Sequence, residues 1–451
     1  MLYRKMYEKL LNWKNNRPKK ALLLTGARQI GKTFLIREFG RQNYESLAEI
    51  NFITEPSAAL IFGGDLSVGT LMTNLTAYFR APLTPGKTLV FFDEIQECPA
   101  ARTAMKFLVE DGRFDYIESG SLLGVNYKEV QSYPVGYEET LQMYPMDFEE
   151  FALANGAQRE TIAYLKERFD QKAPVSEAVH QTMKELFRYF VIVGGMPAAA
   201  QSFVDTRDMG EVLRIQNDIL AMYRQDIAKY ARNDKAKIKD IFDRVPAELN
   251  TRNRRFKLSD ISKTARVNRY ENSFVWLADA GVALPCYSVS EPKVPLRLNE
   301  RSGLFRLYMN DTGLLCAASM ENVQFDILAG DLTVNMGGIL ENTFAQLFRA
   351  NGFELRYLNR KNIGEIDFIL QRGKNVVPVE IKSGSGYESH AALNNALSVP
   401  EWGLGEAYVF CLGNVLARDK ITYLPWYMVM FFEQERLPEH LIVEVDLKNL
   451  T

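Results

Sequence analysis

Apolar residues early in the chain come in short unbroken runs. Ala21–Leu24 leads into Gly26, and Leu89–Phe92 leads into Asp93-Glu94. A strand buried on both faces of a parallel sheet looks like this. Phe114–Ile117 reads as a further strand, ending in the polar pair Glu118 and Ser119. Phe34, Leu35, Ile36 and Phe39 predict a helix directly after the first strand. From about Gln142 the pattern turns helical. Asp147 is placed to cap a helix carrying Phe148 and Phe151. Gly194-Gly195-Met196-Pro197 breaks the next helix, and Val212, Ile215, Ile219 and Met222 recur at helical spacing. The simplest role for these helices is a lid over the N-terminal sheet.

The pattern changes again further on. Ser259 is placed to cap a short helix, and a turn follows near Val267-Asn268. A second helix carries Phe274, Val275, Leu277 and Ala278, Gly281 ends it, and a ribbon-like tail follows. Helix, turn, helix and wing is the natural reading. Arg252, Arg254, Arg255, Lys257, Arg266 and Arg269 around it suit phosphate contacts or the solvated face of a packing module. Glu321–Asn335 is loop-like. Ile339, Leu340, Phe344, Leu347 and Phe348 then mark one helix face, with Glu341 at its flank, where the helix dipole favours an acid in any case.

Next comes "GEIDFILQRGKNVVPVEIKSG", Gly364 to Gly384, a predicted hairpin with charges inside apolar runs. A two-residue Gly373-Lys374 loop suits a type II′ turn. Arg372 then faces Asn375, and counting outward places Asp367 across from Glu380, with Cβ atoms roughly 4.5–5.5 Å apart. Glu380 and Lys382 share one face. A hard cation would relieve the carboxylate repulsion; a solvated face with a cross-strand ion pair is the other reading. A helix near Ala391–Leu397 and the strand "AYVFCL" complete an α/β unit.

Composition adds bounds. The 451 residues suffice for two to four domains, 47% hydrophobic and 24% charged. A net charge of -2 requires any nucleic-acid contact to use local basic patches. Cys98, Cys286, Cys316 and Cys411 form no CxxC pair, and His180, His390 and His440 are scattered. This argues against a disulfide scaffold and a cysteine–zinc site and fits a reducing compartment. No signal-peptide core and no apolar stretch of about 18 residues is visible, so a soluble cytoplasmic protein without membrane partners is expected.

The chemistry begins at Gly26-Ala27-Arg28-Gln29-Ile30-Gly31-Lys32-Thr33, a G-x-x-x-x-G-K-T loop between strand and helix. Its N–H groups and the helix N-terminus make an anion cradle. Lys32 would reach the β- and γ-phosphates and Thr33 would ligate Mg²⁺. Asp93 would hold Mg²⁺ through water, Glu94 would polarise the attacking water, and Ser119 is placed to sense the γ-phosphate. Arg102 and Arg113 are candidates for charge stabilisation.

Asp367 and Glu380-Ile381-Lys382, with Glu341 on a preceding helix, resemble the PD-(D/E)-x-K nuclease superfamily. With "GARQIGKT", "LVFFDEIQ", "YPMDFEEF", "FRYFVIVGGMP", "MNDTGLL" and "GGILEN", nearly the whole chain resembles a large prokaryotic family of AAA-type ATPases. Its members carry a P-loop domain, a central winged-helix-like region and a C-terminal restriction-endonuclease-like domain. The resemblance implies a multidomain α/β fold: a P-loop ATPase at 1–160, a helical lid or connector at 161–235, a winged-helix-like domain at 236–322 and a nuclease-like domain at 323–451. It implies ATP and Mg²⁺ at Lys32, Thr33 and Asp93, with Glu94 as catalytic acid/base. It also implies metal at Asp367 and Glu380, Lys382 near the attacking water, and Glu341 as a supporting acid. One departure stands out. Members usually have Gly-Arg before the "YPMDFEEF"-type segment, where this chain has Gly136-Tyr137. If that arginine assists hydrolysis or intersubunit contact, ATP turnover is affected. The expected function is ATP binding and hydrolysis coupled to a Mg-dependent nuclease-like domain acting on DNA. The alternative is a nucleotide-dependent switch whose C-terminal domain binds nucleic acid or protein without cutting. Homo-oligomerisation is left open.

Overall fold

The early apolar runs form one parallel sheet. A computed structural model describes residues 2–16, 19–79, 83–121, 134–230, 234–250, 267–319 and 336–435. Helix α1 (Lys5–Asn16) precedes β1 (Ala21–Gly26); then come α2 (Lys32–Asn43), β2 (Ser46–Asn51), α3 (Val68–Phe79), β3 (Thr88–Asp93), α4 (Pro99–Asp111), β4 (Asp115–Ser121) and β5 (Glu138–Gln142). The strand order is β2-β3-β4-β1-β5, all parallel. Every residue of β1 and β3 is buried because helices cover both faces. Leu22, Leu24 and Phe91 pack with Leu10, Leu35 and Phe39 on one side. Leu23, Val90 and Phe92 pack with Leu71, Leu75, Met105 and Leu108 on the other. β4 runs past Ile117, so Glu118 and Ser119 lie within the strand instead of just beyond it.

The helical stretch follows as α5 (Phe148–Ala154), α6 (Arg159–Asp170), α7 (Glu177–Val193), α8 (Pro197–Thr206), α9 (Met209–Tyr230) and α10 (Lys235–Leu249). Asp147 and Glu150 form a reciprocal capping box at α5. Between α7 and α8, Gly195 sits against backbone. A Cβ there would lie 2.1 Å from the Met146 carbonyl oxygen, and the Met146 N–H donates to the Gly195 carbonyl at 2.7 Å.

The basic residues Arg252, Arg254, Arg255, Lys257 and Arg266, with the Ser259 cap, lie outside the described residues, as does the side chain of Arg269. Helix α11 (Val267–Asp279) ends at Gly281, whose φ of 70° suits glycine. β6 (Ala283–Val289) and β7 (Glu300–Met309) pair antiparallel, and α12 (Thr312–Ser319) follows. These two strands do not end as a free wing. After α13 (Gly337–Ala350), β8 (Arg356–Arg360) joins β6 in parallel and β9 (Gly364–Ile366) joins β8, giving the order β7-β6-β8-β9. The expected boundary at 322/323 therefore separates strands of a single sheet.

The third sheet takes β10 (Phe368–Arg372), β11 (Asn375–Ile381), β12 (Ala407–Cys411), β13 (Leu416–Arg418) and β14 (Ile421–Pro425) in the order β10-β11-β12-β14-β13. Helix α14 (Ala391–Leu397) lies before β12. Phe344 and Phe348 of α13 pack on Phe410, Phe348 also on Phe368 and Phe432, anchoring the helix to this sheet. The hairpin register follows the turn: Arg372 opposes Asn375 and Phe368 opposes Val379. The first hairpin strand is broken, however. Gly364–Ile366 belongs to the second sheet and Phe368–Arg372 to the third, so Asp367 is where the chain changes sheets. No helix among the described residues is long and apolar enough to cross a membrane.

Candidate nucleotide site and C-terminal carboxylate site

The P-loop joins the C-terminal end of β1 to α2, and its backbone explains its glycines. Gly26 has φ 153°, and a Cβ there would lie 2.4 Å from the Met143 carbonyl oxygen. Gly31 is left-handed (φ 89°) at the N-cap of α2. Lys32 folds back, its Nζ donating to the carbonyls of Gly26 at 3.0 Å and Ala27 at 2.8 Å. Burial, opposed by the charges of Glu94 and Asp93, pushes the Lys32 ammonium down to about 8. Thr33 Oγ1 lies 3.1 Å from each carboxylate oxygen of Asp93. Ser119 Oγ donates to the same carboxylate. Glu94 is left-handed (φ 55°) at the head of a short turn and accepts from Gln96 Nε2.

Other groups hold the loop in place. Arg4, ahead of α1, is buried; it donates to the Ile30 carbonyl at 2.9 Å, to the Tyr144 carbonyl at 2.7 Å and to Glu150 at 3.1 Å. Helix α9 grips the other side. Arg28 pairs with Asp226 at 2.8 Å, the Tyr223 hydroxyl donates to the Arg28 carbonyl at 3.2 Å, and Gln29 Nε2 approaches Met222 Sδ at 3.6 Å. The predicted lid therefore touches the loop directly.

The arginines singled out from sequence stand elsewhere. Arg102 pairs with Glu138 at the start of β5 at 2.8 Å, and Arg113 pairs with Asp111 at 2.6 Å. Burial first, then the neighbouring Glu138, raises the Glu118 carboxyl well above the usual range, with Arg102 pulling it down. Tyr137 lies where β1 begins: its carbonyl accepts from Ala21 N at 2.8 Å. From there to Gly26 the strand runs about 16 Å. Tyr137 therefore stands at the end of β1 opposite the P-loop.

The second site lies where the second and third sheets meet. Asp367 Oδ2 accepts from Ile381 N at 2.8 Å, so the carboxylate takes up the N–H at the end of β11. Glu380 is 3% exposed, and Lys382 Nζ lies 2.7 Å from its Oε2. Burial and then the Asp367 charge raise the Glu380 pKa, while Lys382 lowers it. Glu341 is 2% exposed and does not lie open to solvent as a helix-flank acid would. Its Oε2 accepts from Arg306 Nη1 and from the Tyr308 hydroxyl, each at 3.2 Å. Arg306 of β7 also pairs with Glu365 and lies 4.3 Å over the Tyr357 ring. Among the described residues, no group of three or more His, Cys, Asp or Glu is arranged to hold a metal ion.

Residues 18–152 match the family model described as an AAA domain. This part of the chain is an AAA-type P-loop ATPase domain. Residues 184–324 and 336–428 match two models described only as domains of unknown function, DUF8612 and DUF4143. No curated protein matches the chain. Solved structures similar to it include the Walker-type ATPase PABY2304 of Pyrococcus abyssi, at 13% identity over 70% of this chain and 96% of that one, TM-score 0.42. The Aeropyrum pernix ORC1 protein in complex with DNA matches at 12% identity over 73% and 93%, TM-score 0.29. The Thermotoga maritima RuvB Holliday junction branch migration motor matches at 15% over 62% and 89%, TM-score 0.29.

The ATPase domain fits its nucleotide by its donors. The loop surrounds an ammonium that now bonds only neutral carbonyls, and a hydroxyl stands beside an acid at the strand end. Asn51 was not visible from sequence. It opposes Asp93 across β2 and β3 and donates Nδ2 to its Oδ2 at 2.8 Å, holding the carboxylate toward Thr33. Arg4 was also missed, although an arginine near the N-terminus carries no local signal. Arg306 was missed because only the pairing of β6 with β8 brings β7 toward Glu365.

Proposed function

We propose that the chain binds and hydrolyses ATP with Mg²⁺ and uses its nucleotide state to govern a Mg-dependent nuclease-like site acting on DNA. At the first site, Lys32 would leave its carbonyls for the β- and γ-phosphates. Thr33 and Asp93 would hold Mg²⁺, with Ser119 and Asn51 fixing the Asp93 carboxylate. Glu94 would orient the attacking water.

The observation that carries the nuclease half is the Asp367 carboxylate bonded to Ile381 N, next to Glu380 and close enough for its charge to act on that carboxyl. Two carboxylates are a fitting donor set for a hard cation that keeps waters and takes substrate phosphate oxygens. Bound there, Mg²⁺ would supply charge stabilisation at a phosphodiester. Lys382 would hold its ammonium at the attacked phosphate, and its bond to Glu380 keeps it oriented. Buried bonds between the helical stretch and α13 support coupling: Gly195 N donates to Asp311 Oδ2 at 2.6 Å, and Gln346 Nε2 of α13 approaches the same oxygen at 3.5 Å.

The test is plasmid cleavage by the full chain with Mg²⁺ and ATP. Cleavage lost in Asp367→Ala and changed in Lys32→Ala is expected. No cleavage by wild type would discard the nuclease half. The switch reading, in which the C-terminal unit binds without cutting, is favoured by one observation: Arg306 is buried among its acids.

A further inference from the structure

Helix α9 holds the P-loop at Arg28 by two bonds of different kinds. One is made to the side chain: Arg28 Nη1 donates to Asp226 Oδ1 at 2.8 Å. The other is made to the backbone, where the Tyr223 hydroxyl donates to the Arg28 carbonyl at 3.2 Å. The backbone bond fixes the loop, while the side-chain bond can exchange partners. We propose that Arg28 binds the γ-phosphate of ATP, and that Asp226 holds its guanidinium when no γ-phosphate is present. The grip of α9 on the loop then follows the nucleotide state. This rests on the reading of Lys32, Thr33, Asp93 and Glu94 as an ATP and Mg²⁺ site given above.

Two observations put Arg28 at the γ end of the site. Lys32, the group that would meet the β- and γ-phosphates, has its Nζ 2.8 Å from the Ala27 carbonyl, in the peptide that joins Ala27 to Arg28. The Arg28 backbone therefore starts beside that ammonium. On the far side of the ion pair stands Glu94. Burial raises the Asp226 carboxyl, Arg28 and Lys229 pull it down, and the Glu94 charge pushes it up again. Glu94 is the acid assigned to the attacking water, which approaches the γ-phosphate in line. The ion pair thus lies in the field of the reacting end. The exchange of partners is also favoured chemically. Side-chain exposures of 26% for Arg28 and 15% for Asp226 leave the pair partly in water, where an ion pair opens at little cost. A guanidinium offers its fork to a phosphate as readily as to a carboxylate. A terminal phosphate carries about two negative charges and three acceptor oxygens, more than a carboxylate has. ATP therefore draws Arg28 away from Asp226. ADP, which ends at the β-phosphate, leaves the pair closed.

Calorimetric titration of the full chain with ADP and with the non-hydrolysable ATP analogue AMPPNP, each with Mg²⁺, tests this. The readout is the ratio of the two affinities, which a purely structural role would not move. Arg28→Ala should lower the preference for AMPPNP over ADP by about tenfold or more, as expected for a lost charged hydrogen bond. Asp226→Asn frees the guanidinium and should raise the preference by about two- to fivefold. That gain should vanish when Asp226→Asn is combined with Arg28→Ala. A preference unchanged in Arg28→Ala would overturn the inference and leave the nucleotide reading standing. So would an Asp226→Asn effect that is equal for both nucleotides or that survives in the double variant. If Arg28→Ala does not fold, the ratio in Asp226→Asn decides. A wild type that binds neither nucleotide would refute the nucleotide reading itself, and the inference with it.

Discussion

Lys32 makes ATP affinity a function of pH. Burial holds its ammonium down at about 8, against an ordinary value of 10.5. Only the charged form can meet the phosphates, so apparent Kd scales with the inverse of the protonated fraction. With a pKa of about 8, that fraction is about nine-tenths at pH 7 and about one-tenth at pH 9, a weakening of about tenfold, or about 1.4 kcal/mol. The assay is equilibrium binding of a fluorescent ATP analogue with Mg²⁺ from pH 6.5 to 9.5. Affinity should be level below about 7 and fall tenfold per unit above about 8. Lys32→Arg, whose guanidinium stays charged, should flatten the profile whatever its absolute affinity. The sign for folding is opposite. Between about 8 and 10.5 the unfolded chain binds more protons at this group, so the empty protein's stability rises with pH there. A wild-type binding curve flat from 7 to 9, or a slope that survives in Lys32→Arg, would refute the assignment of the titration to this buried ammonium.

Two further substitutions probe how the loop and the helices are held. Arg4→Met strips a buried partner from Glu150 and two carbonyl acceptors, and should cost about 3–5 kcal/mol, read as a lowered urea midpoint of the full chain; a change within about 0.5 kcal/mol would mean Arg4 is not holding the loop. Gly195→Ala places a methyl 2.1 Å from the Met146 carbonyl oxygen, where backbone cannot move aside. It should cost several kcal/mol, about 3 or more. Gly69→Ala in α3, which meets nothing within 4 Å, should instead stabilise by up to about 1 kcal/mol. Equal behaviour of the two glycine variants in thermal unfolding would contradict the packing described here.

The P-loop was legible because all its requirements are local: an apolar strand, a glycine turn and a helix within 20 residues. The Asp93 side of the site was legible for the same reason, since an acid ending a buried strand lands at the sheet's ligand-binding edge. Asn51 was not, because its role depends on β2 lying next to β3, which no short window reveals. At the C-terminal site the two-residue turn fixed the register, so the opposition of Arg372 and Asn375 could be counted from Gly373. The break at Asp367 could not. It arises because β8 draws Gly364–Ile366 into another sheet, a pairing set by the strand β6 about 70 residues earlier. Glu341 shows the limit most clearly. On a helical wheel it is an acid at the edge of an apolar face, where a dipole or solvent accounts for it. In the fold it is buried, and what it does depends on which cation reaches it. A divalent ion would make it a ligand; the guanidinium that β7 delivers makes it a partner of Arg306. Which of the two cations arrives is decided by the β6–β8 pairing, so the chemistry of Glu341 is a property of sheet topology more than of the segment that contains it.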